Sequence, residues 1–337
     1  MNILITSAGR RGYIVDFFKQ AIGKDGKVYV GNNTRSCSAA FHGDGFVLTP
    51  SIYDDNYIDF LIDYCIQKNI KMIISLFDVD LPKLAQNKEL FRQKGIEVII
   101  SDERVISICN DKWLTNSFAL ENGIKYPKSY LDIDMLKADI KNCCIDFPII
   151  IKPRWGMGSI GVHIASNSNE LITLGDMCKR EIISSYLKYE SSVDFDKAVI
   201  YQQYINGEEF GLDIINNLKG EYQTSVIKQK LAMRAGETDS AMVVQNNRIE
   251  EFARKIGKSL HHIADLDVDI LITESEIYLL DMNARFGGGY PFSHLAGVNV
   301  PKAIFKWIRN EDAKNELIVK RYNRTIYKEI SFIGDKE

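Results

Sequence analysis

The first hundred residues predict an α/β fold built on a parallel sheet, and three observations carry that reading. Short apolar runs alternate with helix-length amphipathic segments, the pattern of βαβ units. A glycine-containing turn follows the first run at once, where a doubly wound sheet presents ligand-binding backbone. The chain has 337 residues, enough for about two domains of ordinary size.

Taken in order, Ile3–Thr6, Lys27–Val30, Lys71–Leu76 and Glu97–Ile100 read as strands. Residues 14–22, 57–68 and 82–94 read as the helices between them. The first turn, Ser7-Ala8-Gly9-Arg10-Arg11-Gly12, lacks the GxGxxG spacing of a dinucleotide site. The second strand runs into Gly31-Asn32-Asn33, where a ribose-binding acid would stand. NAD is therefore not expected. Arg10 and Arg11 either hold an anionic substrate group or are solvated loop charges.

From about Arg104 the pattern changes. Asp111-Lys112-Trp113 opens a helix that stops near Gly123, and Tyr126-Pro127 leads into an extended segment. An apolar strand bounded by Pro148 and Lys152-Pro153 follows, then a glycine-rich loop, a helix and a strand over Val199–Tyr204. Further strands run to Asp281-Met282-Asn283. Gly257-Lys258-Ser259 imitates the end of a Walker A loop, but Phe252 stands where its first glycine belongs. Phe252, Ile256, Leu260 and Ile263 instead share one face of a core helix. The tail from Glu316 to Ile333 alternates charge with Ile, Val and Tyr, and reads as a hairpin around Asn323-Arg324.

Composition narrows the function. Forty-two basic against 45 acidic residues give a net charge of −3, without the basic excess that nucleic-acid binding needs. No apolar run approaches the ~20 residues of a membrane span. Ile3-Leu4-Ile5 is too short for a signal peptide, and the arginines follow it instead of preceding it. Six cysteines without CxxC spacing and five scattered histidines suggest neither a zinc site nor a disulfide framework. Buried thiols in a reducing cytoplasm are expected.

Two segments carry chemistry. In Phe147-Pro-Ile-Ile-Ile-Lys152-Pro-Arg-Trp-Gly156-Met-Gly158-Ser159-Ile-Gly161-Val162, a strand delivers Lys152 to a loop with three glycines. Glycine lets backbone N–H groups approach an anion, and lysine adds a point charge. The bland alternative is an exposed lysine before a flexible turn. In Ile277-Tyr-Leu-Leu-Asp281-Met282-Asn283-Ala284-Arg285-Phe-Gly287-Gly288-Gly289, strand alternation puts Asp281, Asn283 and Arg285 on one face. Leu280, Met282 and Ala284 are then expected in the core. Carboxylate, amide oxygen and guanidinium suit Mg²⁺ with phosphate, or else a solvated strand face. Asp269, on a further strand with Asp267 as its competitor, offers a third metal ligand. Tyr201-Gln202-Gln203-Tyr204-Ile205-Asn206-Gly207-Glu208-Glu209-Phe210 places an acidic pair after a glycine turn.

In this order the segments resemble the ATP-grasp superfamily, most closely its carbamoyl-phosphate-synthase-large-subunit-like branch. The resemblance covers about residues 1–305 and rests on Asp111-Lys112, KPRWGMGSIGV, QQYINGEEF and DMNARFGGG. It implies a doubly wound N-terminal domain over 1–103 and an ATP-grasp α+β domain over 104–308. A mobile lid would span about 115–200, with an extension over 309–337. It implies that Lys112 and Lys152 hold ATP phosphates beneath a lid containing Gly156, Gly158, Ser159 and Gly161. Gln202, Gln203, Tyr204 and Ile205 would line adenine, and Glu209 would bind ribose. Asp269, Asp281 and Asn283 would coordinate Mg²⁺, with Mn²⁺ as a substitute. Arg285 would stabilise the transferring phosphoryl group. Relatives often have Glu at the positions of Gln202 and Asp281.

The resemblance implies an ATP-dependent carboxylate–amine ligase. A carboxylic acid would be activated as an acyl phosphate, then opened by an amine, with release of ADP and phosphate. Between Lys228 and Thr238, Lys230 and Arg234 either clamp the substrate carboxylate or lie on an exposed basic strand. Arg285, Lys152 and Arg234 form the expected catalytic set. Lys152-Pro153 with its glycines and Asp281-Met282-Asn283 each occur once, so a tandem carbamoyl-phosphate synthase is not expected. A stand-alone ligase for an amino-acid-like or sugar-linked acid fits better, similar in reaction to dipeptide ligases and the pyrrolysine-biosynthesis ligase. A carboxy-phosphate-forming carboxylase or kinase and a non-catalytic ATP-binding regulator are the alternatives. The expected partners are small molecules, and homodimers are common among such enzymes.

Overall fold

The computed structural model of the protein describes residues 1–234, 236–329 and 331–334. Ala235 in the basic stretch, and residues 330 and 335–337 of the expected C-terminal extension, lie outside them. The strands are β1 (Asn2–Thr6), β2 (Val28–Asn32), β3 (Gly45–Leu48), β4 (Ile70–Ser75), β5 (Glu97–Val98), β6 (Ser129–Tyr130), β7 (Ile149–Pro153) and β8 (His163–Ala165). They continue as β9 (Val199–Gln203), β10 (Glu208–Asn216), β11 (Tyr222–Arg234), β12 (Glu237–Val244), β13 (Ala264–Ile272), β14 (Ile277–Asn283) and β15 (Thr325–Tyr327). Three sheets result, ordered β3-β2-β1-β4-β5, β6-β9-β7-β8 and β14-β13-β10-β11-β12-β15. The first is parallel and the second antiparallel. This is the mixed α/β architecture expected, a doubly wound parallel sheet followed by antiparallel strands.

The chain forms two compact units. One comprises Met1–Ile106, Gly211–Val268 and the chain from Asn283 on; the other comprises Ser107–Phe210 and Asp269–Met282.

In the first unit β1 lies between β2 and β4, so Ile3, Leu4 and Ile5 are fully buried and its sequence is a continuous apolar run. Ile3 and Ile5 join a core with Phe18, Phe286, Tyr290 and Phe305, while Leu4 joins a second core with Tyr57, Leu61 and Phe91. Phe18, on the helix Gly12–Ile22, meets the edges of Phe286 and Phe305 at centroid distances of 5.6 and 6.2 Å. The carboxyl ends of β1 and β4 converge on the buried Asp80. Thr6, Ser75 and Tyr57 donate hydroxyl hydrogen bonds to its carboxylate at 2.5, 2.7 and 2.8 Å, and Ser7 adds a longer one. Burial raises the Asp80 pKa, and the hydroxyls work against that rise.

Several elements differ from the sequence reading. The helix expected over 82–94 is two, Asp80–Gln86 and Lys88–Gln93, because Asn87 leaves helical geometry and its amide bonds Lys83 O at 2.8 Å. The Gly-Lys-Ser segment lies inside the helix Asn247–Leu260, as periodicity required. Ile263 does not share that helix's face, since His261 at φ 58° ends the helix before it. The tail does not pair with itself among the described residues. Instead β15 pairs antiparallel with β12, an edge otherwise left with unpaired backbone groups. Cys143 and Cys144 are exposed in the turn after the helix Ile133–Lys141, whereas the other four thiols are buried as expected.

In the second unit β7 occupies an inner position of its sheet, with Ile149 and Ile151 packed against Leu171, Cys178 and Ile182 of the helix Ser168–Ser184. The helix Lys112–Glu121 begins where Asp111 accepts the Trp113 and Leu114 backbone N–H groups at 2.9 and 3.4 Å. No described helix is long and apolar enough to cross a membrane.

Asp80→Ala strips four hydroxyls of their acceptor in a dry site. It is expected to destabilise the protein by about 2–4 kcal/mol, read as a fall in melting temperature, while Asp80→Asn costs less.

Candidate functional site

The second unit gathers most of the residues expected around a nucleotide. Strand β7 carries Lys152 at its end, and the Lys152 ammonium donates to Gln202 Oε1 on β9 at 2.8 Å. Gln202 Nε2 donates in turn to Ser129 Oγ at 2.9 Å, so this buried amide is spent at both ends. Lys112, in the first turn of its helix, donates to Gly156 O at 2.7 Å and lies 3.5 Å from Asp281 Oδ2. Lys112 is only 8% exposed and Asp281 29%. Burial, with the positive charge of Lys112, lowers the Lys152 pKa to about 8 against the opposing pull of Asp281.

The glycine-rich loop has its own backbone demands. Gly158 and Gly161 adopt φ +63° and +68°, and Ser159 takes φ 59°. A Cβ on Gly156 would sit 2.9 Å from Pro153 Cβ. At the loop's entry Arg154 makes a two-pronged pair with Asp111 at 2.8 and 2.7 Å and stacks 4.3 Å over Trp155. Asp111 thus caps the Lys112 helix and anchors the loop at once. The sequence reading missed Arg154, although the quoted KPRWG contains it.

In the first unit Arg285 is held between two carboxylates. Its Nη1 donates to Asp267 at 2.8 Å, and its Nη2 and Nε donate to Asp78 at 3.0 and 3.2 Å. Burial works against the guanidinium's charge, but Asp78 and Asp267 overcome it and raise its pKa. Arg11 donates to Leu76 O and Phe286 O at 2.7 and 3.1 Å, so it is a half-buried tie and not a free loop charge. Lys228 pairs with Asp213 at 2.5 Å, and Ser293 also donates to Asp213. A side chain on Gly287 would collide with the Asp267 carboxylate at 2.2 Å, which explains glycine there.

Other expected residues fall as follows. Gln203 ends β9, Tyr204 is exposed, Ile205 is nearly buried, and Glu209 lies on β10. Arg234 ends β11 and pairs with Asp239 inside its own hairpin, half exposed. Lys230 faces Ala241 across the same hairpin. Strand β14 carries Asp281 and Asn283 and ends two residues before Arg285. It buries Leu279 and Met282, and Ala284 just past its end is buried too; Leu280 is half-buried, so the expected alternation is corrected at that position. Asp267 is engaged by Arg285, whereas Asp269 lies two residues further along β13. Asp269, Asp281 and Asn283 are all oxygen donors, the chemistry Mg²⁺ or Mn²⁺ takes. Among the described residues no group of three or more His, Cys, Asp or Glu side chains forms a ready-made metal cage.

Comparison with known proteins places this arrangement. The family model for the ATP-grasp domain matches residues 109–289, and that for a PylC-like, N-terminal domain matches residues 3–99. The chain belongs to the ATP-grasp family, a family of ATP-dependent ligases. It is 20% identical over 221 residues to the carbamoyl phosphate synthase large chain of Thermoanaerobacter sp. (strain X514), covering 62% of this chain and 19% of that one. This chain therefore spans about a fifth of the length of the curated relatives it matches. Among solved structures it resembles a biotin carboxylase from Campylobacter jejuni, with TM-score 0.74, 15% identity and coverage of 96% of this chain and 74% of that one. It also resembles an L-amino acid ligase from Bacillus licheniformis, with TM-score 0.67, 16% identity and coverage of 96% and 78%. At these identities the likeness is one of fold.

The Lys152 ammonium carries its proton below pH about 8 and loses it as pH rises through that value. A bound polyphosphate favours the charged form, so ATP affinity is expected to fall ~10-fold between pH 7 and 9. Gln202→Glu places a carboxylate on the ammonium and should flatten that profile, as read by calorimetric titration.

Proposed function

We propose that this chain is an ATP-dependent carboxylate–amine ligase that works through an acyl phosphate. The observation that carries the reading is the pair of buried Lys112 and partly buried Lys152, set beside the Asp281 carboxylate and the carbonyl of Gly156. Two ammonium groups with one nearby carboxylate leave a positive surplus in a place of low polarity, which a polyphosphate anion completes. Family membership and the L-amino acid ligase likeness support the same reading.

In this account Lys112 and Lys152 bind the ATP phosphates, helped by the backbone N–H groups of residues 156–161. Gln203, Tyr204 and Ile205 border the adenine, with Gln202 fixing Lys152 behind them, and Glu209 accepts the ribose hydroxyls. Asp269, Asp281 and Asn283 would hold Mg²⁺, which would supply charge neutralisation to the phosphates. The substrate carboxylate attacks the γ-phosphorus, the bond to ADP breaks, and Arg285 stabilises the charge spread over the phosphoryl oxygens. The amine then attacks the acyl carbon and inorganic phosphate leaves. Asp78 and Asp267 fix the plane of Arg285 in advance, so little reorganisation is needed when charge develops. Residues 1–103 serve as the preceding α/β domain, 104–308 as the grasp domain, and about 115–200 as the lid that shields the acyl phosphate from water. Substrates are small acids and amines of a cytoplasmic pathway.

ADP release from Mg-ATP, measured over pools of carboxylic acids with and without hydroxylamine, tests the proposal. Acid-dependent ADP with a hydroxamate product is expected. ADP release without hydroxamate supports carboxy-phosphate chemistry instead, and no turnover with any acid contradicts the ligase reading. Arg285→Ala is expected to lower the acid-dependent rate by ~100–1,000-fold, the scale of one lost preorganised charge partner. An unchanged rate would remove Arg285 from the chemistry.

A further inference from the structure

The three consecutive glycines of the first unit each face an ion pair. A Cβ on Gly287 would meet the Asp267 carboxylate at 2.2–2.5 Å, and one on Gly289 would lie 3.1 Å from Lys228 Nζ. For a Cβ on Gly288 the nearest atoms are Lys328 Nζ at 3.7 Å and the Glu237 carboxylate, its Oε2 at 3.8 Å. Asp267 is paired with Arg285, and Lys228 with Asp213; no member of these pairs is more than 19% exposed. The third pair, Lys328–Glu237 at 3.1 Å, differs in being 20% and 52% exposed. Of the three pairs against this loop, it is the one a solute can reach.

Backbone bonds hold Lys328 in place. Strand β15 pairs with the edge of β12 through Ser240–Tyr327, Ala241–Ile326 and Met242–Thr325, and Lys328 N donates to Asp239 O at 2.8 Å. Glu237 opens β12. Partial burial raises the Glu237 carboxyl, but Lys328, Arg11 and Arg10 together hold it below the usual range, so it is a carboxylate. Burial, opposed by Arg11 and aided by Glu237 and Asp267, raises the nearby Tyr13 hydroxyl. The C-terminal strand and the first loop therefore bring charge to the same glycine turn, a convergence that sequence order hides.

We propose that Lys328 and Glu237 bind the zwitterionic head group of an α-amino acid substrate at Gly288, carboxylate on Lys328 and ammonium on Glu237. The inference rests on the ligase reading and names its substrate class. A simple carboxylate meets repulsion from Glu237, and a simple amine meets repulsion from Lys328. A ligand bearing both charges a few bonds apart matches the pair head to tail and loses neither interaction. The absent side chain at Gly288 leaves room for that approach. Lys328 is thus a specificity residue supplied by a strand outside the family match, which ends at residue 289.

The test uses the full chain, Mg-ATP and the twenty amino acids, each beside its α-amide and N-acetyl derivative. At least one free amino acid is expected to raise the melting temperature and to drive ADP release, with both derivatives binding ~10-fold more weakly or worse as read by the melting shift. Lys328→Gln and Glu237→Gln should each raise the amino-acid KM by ~10–100-fold, with kcat and ATP affinity within ~2-fold of the parent. Lys328→Arg should recover most of the loss, which a merely structural role would not show. An unchanged KM in Lys328→Gln overturns the proposal. So does hydroxamate formation from other acids when no amino acid binds or reacts. If no acid gives ADP, the ligase reading has failed and the melting shifts decide: amino-acid binding lost in Lys328→Gln supports the head-group site, and binding kept or never seen overturns it.

Discussion

Drawing the Lys152 ammonium partly out of water against a neutral amide is the constraint on which the arrangement of the second unit depends. Gln202 offers an oxygen at 2.8 Å but no charge, and Lys112 adds repulsion that Asp281 only partly offsets. A partly desolvated, incompletely compensated ammonium is costly, and the fall of its pKa to about 8 follows from that cost. Everything around it holds the geometry despite the cost. Strand β7 is anchored by its apolar face, Gln202 is fixed by Ser129, and Lys112 is tied to Gly156. A site strained toward an anion gains more from that anion than a relaxed one would.

The first unit solves the opposite problem. There the buried guanidinium of Arg285 has two carboxylates, so its charge is secured at every accessible pH. Lys152 is poised to change its charge, and Arg285 is not. In the proposed reaction the difference suits a binding group whose partner would arrive with the nucleotide and a group that would have to be oriented before charge develops. Nearby Asp265 shows what this density of charge demands. It is fully buried, and burial with the charge of Asp213 raises its pKa well above the usual carboxylate range.

Local patterns made much of this legible in the sequence. The alternation of strands and helices up to residue 100 follows from apolar runs with turn residues between them. Asp111 announced a helix start because an aspartate there can cap the two N–H groups that follow. Lys112, Lys152 and Asp281 were marked out by motif, and the fold brings them together. Contacts between distant residues were not legible. Asp78 reaches Arg285 across 207 positions, Gln202 meets Lys152 from another strand, and Lys328 meets Glu237 across 91. Strand alternation puts Asp267 and Asp269 on the same face, so no period separates them; only the position of Arg285 does. The tail was misread because its alternating residues fit any sheet edge, and β12 offered one.

The central proposal is that Lys152 is a partly buried ammonium, its pKa lowered to about 8, which a bound polyphosphate restores to full charge. Calorimetric titration with ATP at pH 8, repeated in buffers of different ionisation enthalpy, counts the protons exchanged on binding. Uptake of about half a proton per ATP is expected, lost in Lys152→Met, because the free ammonium is half ionised near its pKa of about 8 and fully charged when phosphate is bound. Binding with an enthalpy independent of the buffer, or proton uptake retained in Lys152→Met, would contradict the account.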